Sequence, residues 1–266
     1  VSHASLARRL LRVSANEALG AYRVLRVADA DAPEPQPGQF AMLAAAERWG
    51  GGCDERPYLP RAFSIARRSA GEWHFLLDDV GPGTRRLGEL QSGEWLWALG
   101  PLGRGFAPPT DGRRAILAGG GAGIAPLAIL QDALGRDPTV LAGFRDGARA
   151  RGATLLAGAR VATDDGSAGH HGPLTDLLEA ELRSDAHAVV YACGPAAMLE
   201  AVRALCERDQ VPAQLALEAP MACGFGACYG CAVARRGGGY LRVCVDGPVV
   251  DAAQLETVDA HAGAPA

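Results

Sequence analysis

Leu117-Ala118-Gly119-Gly120-Gly121-Ala122-Gly123-Ile124-Ala125-Pro126 decides how this chain folds. The apolar run Arg114–Ala118 reads as a buried strand, and Ile124–Leu134 reads as a helix. Between them, Gly119, Gly120, Gly121 and Gly123 make a turn. Such a turn lets backbone approach a pyrophosphate at a helix N-terminus. The spacing departs from G-x-G-x-x-G, because Ile124 stands where the third glycine belongs. Downstream, Thr139–Phe144, Arg160–Thr163 and Ala188–Ala192 read as strands. Pro173 to about Leu182 reads as a helix with proline in its favoured first turn, and Pro195–Arg208 as another. Alternating strand and helix predicts a parallel sheet covered on both faces, over residues 110–211.

Ligands bind at the C-terminal edge of such sheets. Cys193, Gly194 and Pro195 sit there, after the strand ending Tyr191-Ala192. Cys193 reads either as a nicotinamide contact or as a small buried residue. Thr163-Asp164-Asp165-Gly166-Ser167 reads either as a ribose contact or as a polar turn. Arg145 suits a 2′-phosphate and Asp146 a free ribose hydroxyl, so NAD and NADP both stay open. His170 and His171 read as exposed, without an evident partner.

Upstream, residues 1–109 read as β-rich. Leu10–Val13, Ala21–Val27, Ala62–Ala66, Trp73–Leu77 and Glu94–Leu99 are short strand-like runs. Asn16, the stretch Pro33-Glu34-Pro35-Gln36-Pro37-Gly38, Ala70-Gly71 and Gly81-Pro82-Gly83 punctuate them. This predicts a small antiparallel barrel or sandwich. Arg61-Ala62-Phe63-Ser64 lies on one strand and offers a donor fork, a stacking face and a hydroxyl. It suits a flavin or its pyrophosphate; the alternative is a surface arginine. Gly81-Pro82-Gly83-Thr84 opens the helix-like Arg85–Leu90, as an anion site or as a plain cap. Pro101–Phe106 closes the region.

From residue 212 onward the chain is short, glycine-rich and cysteine-rich. Cys223, Cys228 and Cys231 follow C-x4-C-x2-C spacing, and twelve residues separate Cys231 from Cys244. This is the plant-type ferredoxin arrangement and points to a 2Fe-2S cluster. Gly224, Gly226 and Gly230 let the loop curl so that backbone N–H groups face the sulfurs. Zinc is the competing ligand, but its structural sites commonly pair two C-x2-C knuckles, and here there is one. Cys53 and Cys206 read as ordinary thiols.

A net charge of −4 gives no basic footprint for nucleic acid. No apolar run approaches the roughly 20 residues of a membrane helix. Val1-Ser2-His3 lacks a signal-peptide pattern. Clustered cysteines suit a reducing, cytoplasmic setting rather than a disulfide framework.

In their order, these pieces resemble the ferredoxin-reductase family. Within it they resemble the electron-transfer subunits of NAD-linked (type B) dihydroorotate dehydrogenase. The resemblance rests on Arg61–Ile65, Gly81–Thr84, Gly100–Gly103, Gly119–Pro126, Thr163–Gly169, Tyr191–Pro195 with Met198, Met221–Cys231 and Arg242–Pro248. It implies an N-terminal FAD barrel, a central NAD domain and a C-terminal 2Fe-2S lobe. It further implies that Arg61, Ala62, Phe63 and Ser64 hold the flavin. Leu76, Leu77 and Asp78 would line it, and Gly83 and Thr84 would hold its phosphates. It implies a partner, an FMN-containing catalytic subunit, with two of each subunit in the assembly, and a role in pyrimidine biosynthesis. Electrons would pass from the partner's flavin through the cluster and FAD to NAD. Ala62 replaces the usual proline, and the loop Ala44–Pro60 is long. An electron-transfer subunit of a ferredoxin:NADP oxidoreductase or of a hydrogenase is the near alternative, though these can place aspartate at the first cluster ligand. A zinc-stapled nucleotide-binding module is the distant one.

Overall fold

The computed structural model describes residues 7–31, 33–50, 56–135 and 138–258. Its first strands are β1 (Arg8–Leu19), β2 (Tyr22–Ala28), β3 (Phe40–Ala45), β4 (Arg61–Ser69) and β5 (Glu72–Asp78). Helix α1 (Pro82–Gly88) and strand β6 (Trp95–Leu102) complete a closed antiparallel barrel of order β1-β2-β5-β4-β3-β6. Closure removes the free edges that an open sheet of this size would expose. Alternation fills the interior: Leu25, Val27, Ile65, Trp73, Phe75 and Leu96 are fully buried and pack together. Strand β3 has no counterpart in the sequence reading. All six of its residues are buried, so no alternation marks it.

The central layer follows with β7 (Arg114–Gly120), α2 (Ala125–Leu134), β8 (Thr139–Phe144), α3 (Gly147–Ala150), β9 (Arg160–Thr163), β10 (His170–His171), α4 (Leu174–Ser184), β11 (Ala188–Cys193), α5 (Ala196–Arg208) and β12 (Ala213–Ala216). Strands β13 (Ala232–Ala234) and β14 (Tyr240–Arg242) form a two-stranded sheet, and β15 (Val249–Asp251) returns to the central layer. The central sheet has the order β10-β9-β8-β7-β11-β12-β15, parallel except where β15 runs against β12. Two strands from beyond residue 212 thus belong to this sheet by pairing. The cysteine-bearing segment lies between them. Its core is shared rather than private. Cys231, Val243 and Cys244 pack in one apolar cluster with Phe40, Met42 and Leu102 of the barrel and Val190, Leu215 and Val250 of the sheet.

Among the described residues no helix is long and apolar enough to cross a membrane.

Candidate functional site

A cleft of about 1320 Å³ runs where all three parts meet. From the barrel it takes Arg61, Ala62, Phe63, Ser64, Leu76, Asp78 and Thr84. From the sheet edge it takes Gly120, Gly121, Gly123, Arg145, Asp164 and Pro195, and from the cysteine segment Met221, Ala222 and Gly230. Residues far apart in sequence reach one wall because the edge of the parallel sheet faces the barrel strand β4.

At the barrel end, Arg61 Nη1 donates to the Leu59 carbonyl at 2.6 Å. The same side chain lies over Gly83, where an added β-carbon would come 2.6 Å from Arg61 Nε. Gly83 therefore lets the turn tuck beneath the guanidinium. Thr84 Oγ1 accepts from the N–H groups of Val80 and Gly81 and donates to the Gly81 carbonyl. That hydroxyl already serves the turn, so the free donors for an anion there belong to the backbone and to Arg61. Leu76 faces the cleft. Leu77 faces the opposite way, into the barrel core, as successive strand residues must.

At the sheet edge the glycines divide by task. A β-carbon on Gly123 would sit 2.3 Å from the Cys193 carbonyl oxygen, and one on Gly120 2.5 Å from Met198 Sδ. One on Gly119 would press on Ile124 and Leu127 at 3.0 Å. These three let β7, β11 and the following helices close up. Gly121 differs: its φ is +56°, and its nearest neighbour would be Tyr22 Oη at 3.8 Å. Of the turn glycines that line the cleft, it is the least crowded. Cys193 is buried, and its carbonyl backs the turn. Burial, then the nearby Glu218 carboxylate, hold its thiol well above the usual range. Gly194, at φ +157°, comes within 3.0 Å of Gly120 through its would-be β-carbon, so these turns also need each other to lack side chains.

The loop after β9 also divides. Thr163 Oγ1 bonds to Ala168, and Asp165 accepts from Ser167; only Asp164 lines the cleft. Asp146 caps α3 and pairs with Arg149 at 2.7 Å, so both its oxygens are engaged. Arg145 lines the cleft. His170 and His171 are exposed, but His170 Nε2 does have a partner, Asp176 Oδ2 at 3.0 Å.

Tyr22 was invisible as a site residue. It lies on β2, 1% exposed, and lines the cleft. Its hydroxyl has no hydrogen-bond partner among the described residues. Burial and the Asp78 carboxylate push it up to about 12. Nothing in an apolar strand run announces such a role. Glu218 was also missed, although a lone carboxylate just ahead of a cysteine cluster is a usable signal. It lines the cleft, and its enclosure by protein raises its carboxyl above the usual range.

The four cysteines fall into two pairs. Cys231 and Cys244 are buried with sulfurs 3.2 Å apart. Cys223 and Cys228 face each other nearer the surface. Burial would raise the Cys223 thiol, but N–H groups of Cys228, Phe225 and Ala227 and the Cys228 side chain bring it down to about 6. Burial and the Cys231 thiol push Cys244 up to about 12, against the Gly226 N–H. Two pairs of thiols with N–H groups aimed at sulfur fit a two-iron cluster, in which each iron takes two protein sulfurs. Cys206 is buried in the shared core, its thiol pushed up to about 12 by burial and then by Asp209. Cys53 lies outside the described residues.

Met42 packs between the lobe and the flavin-like strand. A β-carbon on Gly224 would meet Met42 Cγ at 2.5 Å, and Met42 pairs with Ala62 across the β3–β4 ladder.

Residues 218–256 match the family model of the iron–sulfur cluster binding domain of dihydroorotate dehydrogenase B. A protein of Caldanaerobacter subterraneus named dihydroorotate dehydrogenase B (NAD(+)), electron transfer subunit, is 36% identical over 221 residues, covering 81% of this chain and 85% of that protein. Its namesake from Geobacillus kaustophilus is 39% identical over 234 residues, covering 83% of this chain and 86% of its own. The chain belongs to the family of electron-transfer subunits of dihydroorotate dehydrogenase B. The fold extends more widely. The structure of an NADH-dependent reduced ferredoxin-NADP oxidoreductase aligns with a TM-score of 0.80 at 23% identity, covering 96% of this chain and 92% of that one. A ferredoxin reductase of carbazole 1,9a-dioxygenase aligns at 0.64 and 25% identity, covering 77% of this chain and 68% of that one. Both the barrel-plus-sheet architecture and the family expected from the motifs are thereby met.

Proposed function

We propose that this chain takes electrons one at a time from a partner oxidoreductase at a 2Fe-2S cluster and delivers them in pairs, through FAD, to NAD. The observation that carries the reading is the single cleft walled by barrel, sheet edge and cysteine segment. Bound FAD supplies the exchange between one-electron and two-electron chemistry that links a cluster to a nicotinamide.

The chain's own residues hold and orient these groups. Arg61, Ala62, Phe63 and Ser64 flank the flavin on β4, with Leu76 and Asp78 from β5. The backbone at Gly83 and Thr84, under Arg61, takes its phosphates. The turn Gly119–Gly123, backed by Cys193, Gly194 and Pro195, seats the dinucleotide, with Gly121 as the point of approach. Cys223, Cys228, Cys231 and Cys244 would hold the 2Fe-2S cluster. Met42 packs between Gly224 and the flavin strand, which keeps the two sites close.

The partner is the catalytic subunit of dihydroorotate dehydrogenase B, bearing FMN and assembled two with two. Nothing on this chain's cleft is needed to bind dihydroorotate. Phe225 and Tyr229, 51% and 63% exposed beside the cluster ligands, are suited to meet that subunit. The setting is the cytoplasm, where reducing conditions preserve thiolate ligands.

Purified chain should show flavin bands and an iron–sulfur shoulder that both bleach with NADH under anaerobic conditions. Co-expressed with an FMN-bearing dihydroorotate dehydrogenase subunit, it should yield NADH from dihydroorotate and NAD. A colourless protein, or a loaded complex without that activity, would defeat the reading.

A further inference from the structure

Arg242, at the end of β14, lays its guanidinium against the cysteine loop. Its Nη1 donates to the Gly226 carbonyl at 3.4 Å. Its guanidinium carbon lies 5.2 Å from the centre of the Tyr229 ring. Its Nε faces Asp246 Oδ2 at 3.5 Å, and the same oxygen accepts from the Arg242 backbone N–H at 2.9 Å. The head group is thus held from three sides, and a β-carbon on Gly226 would crowd it at 3.3 Å. Tyr229 adopts φ +59°, a left-handed conformation that costs a non-glycine residue and that the surrounding contacts must maintain.

The Gly226 carbonyl shares one peptide group with the Ala227 N–H. That N–H is among those that face the Cys223 sulfur. A cation at the carbonyl end of a peptide polarises it, so the N–H at the other end becomes a stronger donor. Reduction adds negative charge to a cluster and is favoured by nearby positive charge and by hydrogen bonds to its sulfurs.

We propose that Arg242 is a positioning residue for the cluster, passing its charge to the Cys223 side through the peptide between Gly226 and Ala227. Asp246 opposes it, since its carboxylate partly neutralises the guanidinium from the other side. The pair therefore sets the reduction potential of the cluster without touching it. This rests on the assignment of the four cysteines as cluster ligands.

The test is a potentiometric titration of the fully loaded chain, following the cluster by electron paramagnetic resonance. Three variants are compared: R242Q, R242K and D246N. Iron and sulfide content is measured on each. R242Q should move the midpoint potential downward, because the charge is lost. R242K should fall between R242Q and the parent. D246N keeps an acceptor for the Arg242 N–H but loses the opposing charge, so it should move the potential upward. A merely structural role would lower cluster content without opposite shifts of potential in the two neutralising variants. Potentials that stay at the parent value in both R242Q and D246N would overturn the relay. If R242Q fails to retain iron, D246N decides alone: an upward shift supports the relay, and an unchanged value overturns it. A parent chain without iron and sulfide would instead overturn the ligand assignment, and the relay with it.

Discussion

Gly123→Ala probes the seat of the dinucleotide. The added β-carbon would lie 2.3 Å from the Cys193 carbonyl oxygen, 2.5 Å from its carbon and 2.6 Å from the Gly194 nitrogen. These are backbone atoms of the neighbouring turn and cannot rotate away. The shortfall from an ordinary contact of about 3.5 Å is roughly 1 Å. Overpacking of this kind costs about 1–3 kcal/mol. Alanine recovers about 0.4–1 kcal/mol by restricting the unfolded chain, so the clash wins. The net loss of about 1–2 kcal/mol corresponds to a fall in Tm of roughly 2–8 °C in a chain of this length. Separating β7 from β11 by a large part of an ångström also misplaces the turn, which can cost up to about a hundredfold in rate. Flavin reduction by NADH in a stopped-flow instrument should therefore slow, while dithionite still reduces flavin and cluster. Gly81→Ala is the control, since its φ of 165° is extended and nothing lies within 4 Å. It should stay within about 0.5 kcal/mol of the parent. A G123A chain with parental Tm and parental NADH kinetics would refute both the close approach of the two turns and their assignment to the dinucleotide.

Cys231→Ala should abolish iron and sulfide binding, whereas Cys206→Ala should retain both; equal iron in the two purified variants would contradict the ligand assignment. Tyr22→Phe removes a buried hydroxyl without a partner, so chemical denaturation of apoprotein should show it unchanged or stabilised by about 1 kcal/mol; a clear loss of stability would mean the hydroxyl is satisfied. Glu200 is held below its ordinary value of 4.5 chiefly by Arg203, against burial, with help from the Val258 N–H. A depressed carboxyl contributes stability that is full above the ordinary value and lost as pH falls through the lowered one. Glu200→Gln should therefore lower Tm at pH 7 and shrink that difference progressively below pH 4.5. A pH-independent difference would argue against the ion pair as its source.

Where burial alternates along a strand, the sequence carried the structure. Trp73–Leu77 falls within β5 because Trp73 and Phe75 are buried while Glu72 and His74 are only partly so. Phe40–Ala45 stayed hidden because it is buried on both sides and shows no period. Pro212 marked a change of composition, yet β12 begins one residue later and pairs with β11; pairing is a long-range event that composition does not report. The four cysteines could be grouped from sequence because their spacing is short-range. Leu77 shows the limit of motif transfer, since a segment can be placed correctly while only alternate side chains reach the cleft. Tyr22 and Met42 were unreadable because their roles come from partners far along the chain: Gly121 lies at the tyrosine and Gly224 at the methionine.

The shared core of the cysteine lobe bears on how the protein is made. Its two strands are three residues each, and Cys231 and Cys244 share one apolar cluster with Met42 and Leu102 from the first half of the chain. A segment this short cannot bury them by itself. The metal-binding pocket therefore takes shape only after barrel and sheet have come together. Maturation machinery would meet a nearly finished protein, and the lobe would not survive transplantation as a cassette onto an unrelated host.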